Sequence, residues 1–173
     1  SFHPTGLLLY CKAPLHGARR SGDRGGEPFE DALTERIIGA AIEVHRHLGP
    51  GLLESVYEQC LCHELSVRGV IFERQRPIPL LYKGVRFECG FRADIVVEDR
   101  VLVELKSVAQ LLPVHSAQVR TYLRLAALDV GILLNFNVTA LRAGVRRLSR
   151  PPRSPDLPDL PFTAAPAPPR TLR

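Results

Sequence analysis

The 173-residue chain has no methionine, no tryptophan, only three lysines beside twenty arginines, and four cysteines that form no Cys-x-x-Cys pair. No run approaches the ~18 consecutive apolar residues of a transmembrane helix, so no membrane span is expected. Cys60 and Cys62 lie two apart in a helical pattern and point to different faces, which excludes them as a metal-ligand pair. With Cys11 and Cys89 they read as reduced thiols of an intracellular, cytoplasmic protein. The Leu7–Cys11 run is too short and lacks a preceding basic region, and bulky Tyr10 stands before the cysteine. A secretory leader is therefore not expected there. The missing methionine, absent even at position 1, fits a processed chain and a partial reading frame equally. The arginine bias fits a GC-rich genome as well as phosphate binding, but it makes a lysine inside an apolar strand conspicuous.

What the chain does contain is ordinary for a globular protein: 45% hydrophobic residues, 24% charged residues and a mean hydropathy near zero. Its length suggests one domain. The net charge of +5 points to a polyanionic partner, yet the excess is spread as +1 over residues 1–30, +2 over 31–149 and +2 over 150–173. Charge alone argues only weakly for nucleic acid.

Residues 1–30 read as a loose leader without periodicity. Residues 150–173 hold eight of the fifteen prolines and read as an extended, disordered appendage. The foldable part is 31–149. There, Leu33, Ile37, Ala41, Val44 and Leu48 follow helical spacing, with Asp31 or Thr34 able to cap the start. Gly49-Pro50-Gly51 breaks that helix, and a second runs from about Leu52 to Arg68 and stops at Gly69. Val70–Phe72 opens a series of strands. Leu80–Tyr82 and Val85–Phe87 form a hairpin around Lys83-Gly84, and Phe91–Val97 and Val101–Ser107 form another around Glu98-Asp99-Arg100. A third helix spans roughly Val114 to Leu128. Gly131–Phe136 is a short apolar strand that Gly144–Leu148 is expected to pair. This order predicts an α/β fold, a mixed central sheet flanked by helices.

The most informative segment is Val101-Leu102-Val103-Glu104-Leu105-Lys106-Ser107, a strand apolar enough to be buried yet interrupted by Glu104 and Lys106. Period two puts both on one face with Leu102. On the preceding strand Ala93, Ile95 and Val97 share one face, and Arg92, Asp94 and Val96 the other. Matching the apolar faces requires an odd loop, which residues 98–100 supply, and the register then sets Asp94 opposite Glu104. Directly opposed Cβ atoms lie ~4.5–5.5 Å apart, where like charges destabilise. A hard cation such as Mg²⁺ or Mn²⁺ between the carboxylates would remove that penalty. The rival reading is a salt-bridged pair, Arg92–Asp94 or Glu104–Lys106, on a solvated face.

Further polar groups fall at suggestive spacings. Glu54 and Tyr57 are i, i+3 neighbours on the second helix, although a lone helical glutamate is usually solvated. Gln118 and Tyr122 are an i, i+4 pair able to orient water or phosphate, or simply a helix edge packed on the sheet. His115, three residues before Gln118, reads as a cap or surface residue more readily than a phosphate contact.

Asp94, nine residues, then Glu104-x-Lys106 resembles the PD-(D/E)xK nuclease superfamily, and Gln118-x-x-x-Tyr122 resembles the helix motif many members add. Gly51-x-x-Glu54-x-x-Tyr57 looks like the signature of its GxxExxY family. The Asp–Glu-x-Lys pattern alone is weakly specific; the three motifs in order are strongly so. The resemblance covers residues 31–149 and implies a restriction-endonuclease-like αβββαβ core. It implies Asp94 and Glu104 as metal ligands, helped by the Leu105 carbonyl, and Lys106 as the group that orients or activates water. Glu54 would match the acidic residue of the first core helix, with Gln118 and Tyr122 completing a catalytic set. The implied reaction is phosphodiester hydrolysis with Mg²⁺ or Mn²⁺, on nucleic acid and DNA in particular. Ala93 stands where the superfamily name has proline, a position that supplies no ligand.

Two other function classes compete. A non-catalytic nucleic-acid-binding or assembly module could keep the fold, but it would have no need of Lys106 in an apolar strand. A glycosidase also uses paired carboxylates, but Lys106 and the absence of tryptophan to stack sugars argue against it. With about 119 residues in the core, dimerisation or a partner protein is an expected route to specificity.

Overall fold

The computed structural model describes residues 28–88 and 90–152, with side chains from residue 32 onward. Nearly all of the expected leader and tail lies outside them. The first helix, α1 (Pro28–Leu48), buries Leu33, Ile37, Ala40, Ala41 and Val44 along one stripe. It starts ahead of the expected caps, so Asp31 and Thr34 lie inside it, and the Thr34 hydroxyl is buried without a partner among the described residues.

Helix α2 (Glu54–Val67) follows the Gly49-Pro50-Gly51 turn, where Gly51 has φ +100°, backbone geometry that a side chain would strain. Tyr57 pins this turn. Its hydroxyl donates to the Gly49 carbonyl at 2.6 Å and accepts from the Leu52 N–H at 3.1 Å, while its ring stacks on Phe136 at 4.3 Å between centroids. At the other end of α2, Gly69 adopts φ +65° as expected of a C′ residue.

The strands are β1 (Phe72–Pro77), β2 (Leu80–Tyr82), β3 (Val85–Phe87), β4 (Arg92–Val97), β5 (Val101–Lys106), β6 (Val130–Asn135) and β7 (Val145–Ser149), with α3 (Pro113–Ala126) between β5 and β6. The first begins two residues later than expected because Val70 belongs to the α2 cap, its N–H bonded to the Leu65 carbonyl. The main sheet has the order β1-β4-β5-β6-β7, while β2 and β3 pair only with each other. All pairs are antiparallel except β5 with β6, whose parallel register needs a crossover that α3 supplies. The expected αβββαβ order is realised by α2, β1, β4, β5, α3 and β6.

Central strands buried on both faces explain the continuous apolar runs of β5 and β6. On one face Ile95, Val103, Leu105, Ile132 and Leu134 pack with α1 and α2; on the other Val96, Leu102 and Leu133 pack with α3. Gly131 sets the α3 distance, since a Cβ there would stand 2.7 Å from Val119 Cγ1.

The β4–β5 register is the one expected, pairing Val97 with Val101 and Ile95 with Val103, but the ladder ends there. The Leu105 N–H, whose partner in a continued ladder is the Ala93 carbonyl, is instead taken by Asp94 Oδ2 at 2.8 Å. The strands part at this point. Ala93 accordingly packs on the α3 side, not with Ile95 and Val97 as the alternation predicts.

Candidate active site

The site forms where β4 and β5 separate. Glu104 is 2% exposed on β5, and its Oε1 accepts from Lys106 Nζ at 2.7 Å and from Gln118 Nε2 at 2.9 Å. Oε2 is buried with no hydrogen-bond partner among the described residues. A buried carboxylate oxygen left unsatisfied costs its desolvation in full. Burial and the charge of Asp94 push the Glu104 carboxyl up to about 7, against the lowering effect of Lys106.

Asp94 is partly buried. Desolvation raises its pKa, with Glu58 and Glu54 acting in the same sense, while the Leu105 N–H and Lys106 oppose them. For Lys106, burial works against the charge, but Glu104, Glu54 and Asp94 outweigh it and the pKa ends above the ordinary lysine value. Lys106 is therefore held as an ammonium, a compact point charge inside the sheet.

Helix α3 brings Gln118 and Tyr122 over this strand. Gln118 Nε2 also donates to the Tyr122 hydroxyl at 3.1 Å, and the Tyr122 ring lies 6.1 Å from that of Phe91. His115 is a cap: its Nδ1 accepts from the Leu112 N–H at 3.1 Å. From the opposite helix Glu54 reaches the end of β5, its Oε1 accepting from the Ser107 N–H at 2.9 Å, while Ser107 Oγ donates to the Leu52 carbonyl at 2.6 Å. Glu54 is thus tied to the β5 end, and Tyr57 fixes the turn before it. The structure brings Glu54, Asp94, Glu104, Lys106, Gln118 and Tyr122 to one region.

The Leu105 main chain points there too. Lys106 gives its carbonyl to the Phe136 N–H across the parallel pair, so period two turns the N–H and C=O of Leu105 the other way, toward β4.

Sequence reasoning missed a second tier around Asp94. Gln75 on β1 has φ +52°, a left-handed residue inside a strand, and the β1–β4 ladder skips the Gln75–Asp94 pair. Its Nε2 donates to Glu58 Oε2 at 2.8 Å and makes a longer contact with Asp94 Oδ1 at 3.4 Å. Glu58 is buried and also accepts from Arg74 Nε. Glu58 stands i+4 from Glu54, a same-face signal present in the sequence; nothing in it marks Gln75. Asn135, opposite Lys106 on β6, was also missed. Its amide bonds both main-chain groups of Val108 at 3.1 and 2.8 Å and so fixes the chain leaving β5.

Among the described residues no group of three or more His, Cys, Asp or Glu side chains is arranged to hold a metal. The donor set here is instead two carboxylates and a main-chain carbonyl. Cavities of about 410 and 680 Å³ open along α1, one beside His45 and Leu141, the other beside His47, Cys60 and His63, and neither includes a residue of this site.

A mixed sheet whose parting central strands present an aspartate and a Glu-x-Lys, flanked by helices, defines a restriction-endonuclease-like domain of nuclease type. The chain belongs to the PD-(D/E)XK nuclease superfamily, whose sequence profile matches residues 31–148. No curated protein and no solved structure matches the chain. No helix among the described residues is long and apolar enough to cross a membrane.

Proposed function

We propose that the protein is a divalent-metal-dependent nuclease of the GxxExxY group, hydrolysing phosphodiester bonds in nucleic acid, with DNA as the expected substrate. The observation that carries this reading is the orphaned Glu104 Oε2 beside Asp94. A buried carboxylate that repels its neighbour and lacks one partner fits a cation. Asp94, Glu104 and the Leu105 carbonyl would hold Mg²⁺ or Mn²⁺, an all-oxygen set suited to those hard ions. Bound there, the metal would lower the pKa of a coordinated water and offset charge at the scissile phosphate.

The protein's own groups supply the rest. Lys106, held as an ammonium by Glu104, places a positive charge where the phosphate would develop negative charge. Gln118 holds Glu104 in place from α3 and is itself tied to the hydroxyl of the buried Tyr122. Glu54, by taking the Ser107 N–H, fixes the end of β5 so that Lys106 and the Leu105 carbonyl keep their directions. The nuclease domain on this reading is 31–149, preceded by a leader and followed by a proline-rich appendage. It works in the cytoplasm, with dimerisation or a partner protein adding specificity; reduced Cys60 and Cys62 agree with that compartment.

The test is cleavage of plasmid DNA and of an RNA transcript in Mg²⁺ and Mn²⁺ by wild type, Glu104→Ala and Lys106→Ala. Metal-dependent cutting lost in both variants supports the reading. Cutting unchanged in either variant would remove this mechanism.

A further inference from the structure

The β2–β3 hairpin stands apart from the main sheet. Its two-residue turn has Lys83 at φ +48° and Gly84 at φ +79°, the left-handed pair that favours a tight hairpin. Pairing Leu80 with Phe87 and Tyr82 with Val85 places these four side chains on one face. At the base, Leu80 and Ile78 pack into the cluster between the sheet and α3, and the Ile78 N–H donates to the Phe91 carbonyl at 2.8 Å. Beyond that anchor the face is open: Tyr82 is 58%, Val85 56% and Phe87 43% exposed.

This arm adjoins the site. Phe91, also exposed, contacts the Tyr122 ring, and Tyr122 is bonded to Gln118, which donates to Glu104. The base of the arm and the site thus share one cluster, since Ile78, Leu80 and Tyr122 all pack in it. A lone two-stranded hairpin is only marginally stable in water, and a row of exposed rings on one is most economically explained by something that lies across it.

Charge identifies the occupant. Residues 80–92 carry Lys83, Arg86 and Arg92 against Glu88 alone. Arg86 pairs with Glu88, while Lys83 at the tip and Arg92 at the base have no carboxylate partner among the described residues. Lys83 Nζ lies 5.5 Å from the Tyr82 ring centroid. Rings beside cations that no carboxylate neutralises match a nucleic-acid strand, with bases on the ring faces and phosphates on Lys83 and, at the base, on Arg92, whose one hydrogen bond among the described residues is to the Gln75 carbonyl. A second copy of the chain fits worse, because two arms laid together would juxtapose their like charges.

We propose that the β2–β3 hairpin is the substrate-holding arm of this nuclease, seating unpaired bases of a nucleic-acid strand on Tyr82 and Phe87. The inference rests on the nuclease reading of the neighbouring site. Preference for unpaired bases follows because ring faces in a base-paired stack are not available to side chains.

The test uses the full chain carrying Lys106→Ala, so that binding is measured without cutting. Anisotropy of a labelled oligodeoxythymidine, and of the same strand in duplex, is compared with and without Tyr82→Ala and Phe87→Ala. The single strand should bind more tightly than the duplex. Each substitution should weaken single-strand binding by about fivefold or more, Tyr82→Phe should restore it, and the melting temperature should not move. Unchanged affinity in the double variant would overturn the proposal, as would an unchanged affinity accompanied by loss of a dimer, or no binding by either form of the DNA. Cleavage by the otherwise unaltered chain separates the two claims. Metal-dependent cutting with an indifferent arm sinks the arm alone, whereas arm-dependent binding without cutting supports the arm and sinks the nuclease reading.

Discussion

Lys106 and Glu104 meet at a single oxygen: Nζ lies 2.7 Å from Oε1, while Oε2 is buried and has no partner among the described residues. One arm of the carboxylate is thus neutralised by protein and the other is not. With the carboxyl raised to about 7 from an ordinary 4.5, the native state holds a proton that the unfolded state releases at lower pH. The contribution is present in full below about pH 4.5 and is lost as pH rises through about 7. At ~1.4 kcal/mol per pH unit, the metal-free protein should lose on the order of 2–3 kcal/mol across that window. Asp94, also raised, acts in the same sense. Denaturant melts in chelator from pH 4.5 to 8 should show the decline, and Glu104→Gln should flatten it. A rise in stability over that range would contradict the assignment.

Gln75 tests the second tier. Gln75→Gly keeps, and eases, the φ of +52° but removes the amide that lies between Glu58 and Asp94. Activity should fall about 10–100-fold, as for other groups that orient metal ligands, while the melting temperature stays near wild type. Gln75→Ala should lose the same activity without any easing of the backbone, because it keeps the Cβ that the wild-type residue already carries in the left-handed region. Equal activity for wild type and Gln75→Gly would show that Asp94 needs no such support.

Tyr57→Phe removes two hydrogen bonds, to Gly49 and from Leu52, and leaves the stack on Phe136 intact. The cost should be about 1–3 kcal/mol, read from urea melts. A larger proportional loss in cleavage is expected, since the turn it pins sets Glu54 against Ser107. A stability change with fully retained turnover would place the turn outside the site's support.

Cys62 lies near Arg74, Glu58 and Asp94, yet burial drives its thiol up to about 12. It should resist iodoacetamide at pH 8 in the folded protein and react after denaturation. Labelling of Cys62 mapped by mass spectrometry under native conditions would show that this layer opens.

The fold was largely legible because its signals are local. Leu33, Ile37 and Val44 announce α1 by spacing, Lys83-Gly84 announces a hairpin turn, and the alternation in 101–105 fixes a register that the sheet keeps. The site residues Asp94, Glu104 and Lys106 could be read because charged groups in a buried strand are conspicuous. What escaped depends on backbone events that no side-chain pattern encodes. The parting of β4 from β5, which carries Ala93 to the other face, arises because Asp94 replaces a main-chain acceptor for Leu105. The left-handed Gln75 is equally silent, since glutamine has no preference for that conformation. Glu58 was readable in principle from its i+4 relation to Glu54, but its partners come from β1, far away in sequence.

Metal binding itself decides whether Glu104 and Asp94 together hold a divalent cation. Isothermal calorimetry of Mn²⁺ into the metal-free chain, with Asp94→Ala and Glu104→Ala alongside, tests it most directly. One site per chain is expected, lost in both variants, with binding that strengthens as pH rises through about 7 and Glu104 gives up its proton. Wild-type and variant titrations that coincide, or an absence of heat with Mn²⁺ and Mg²⁺ alike, would contradict it.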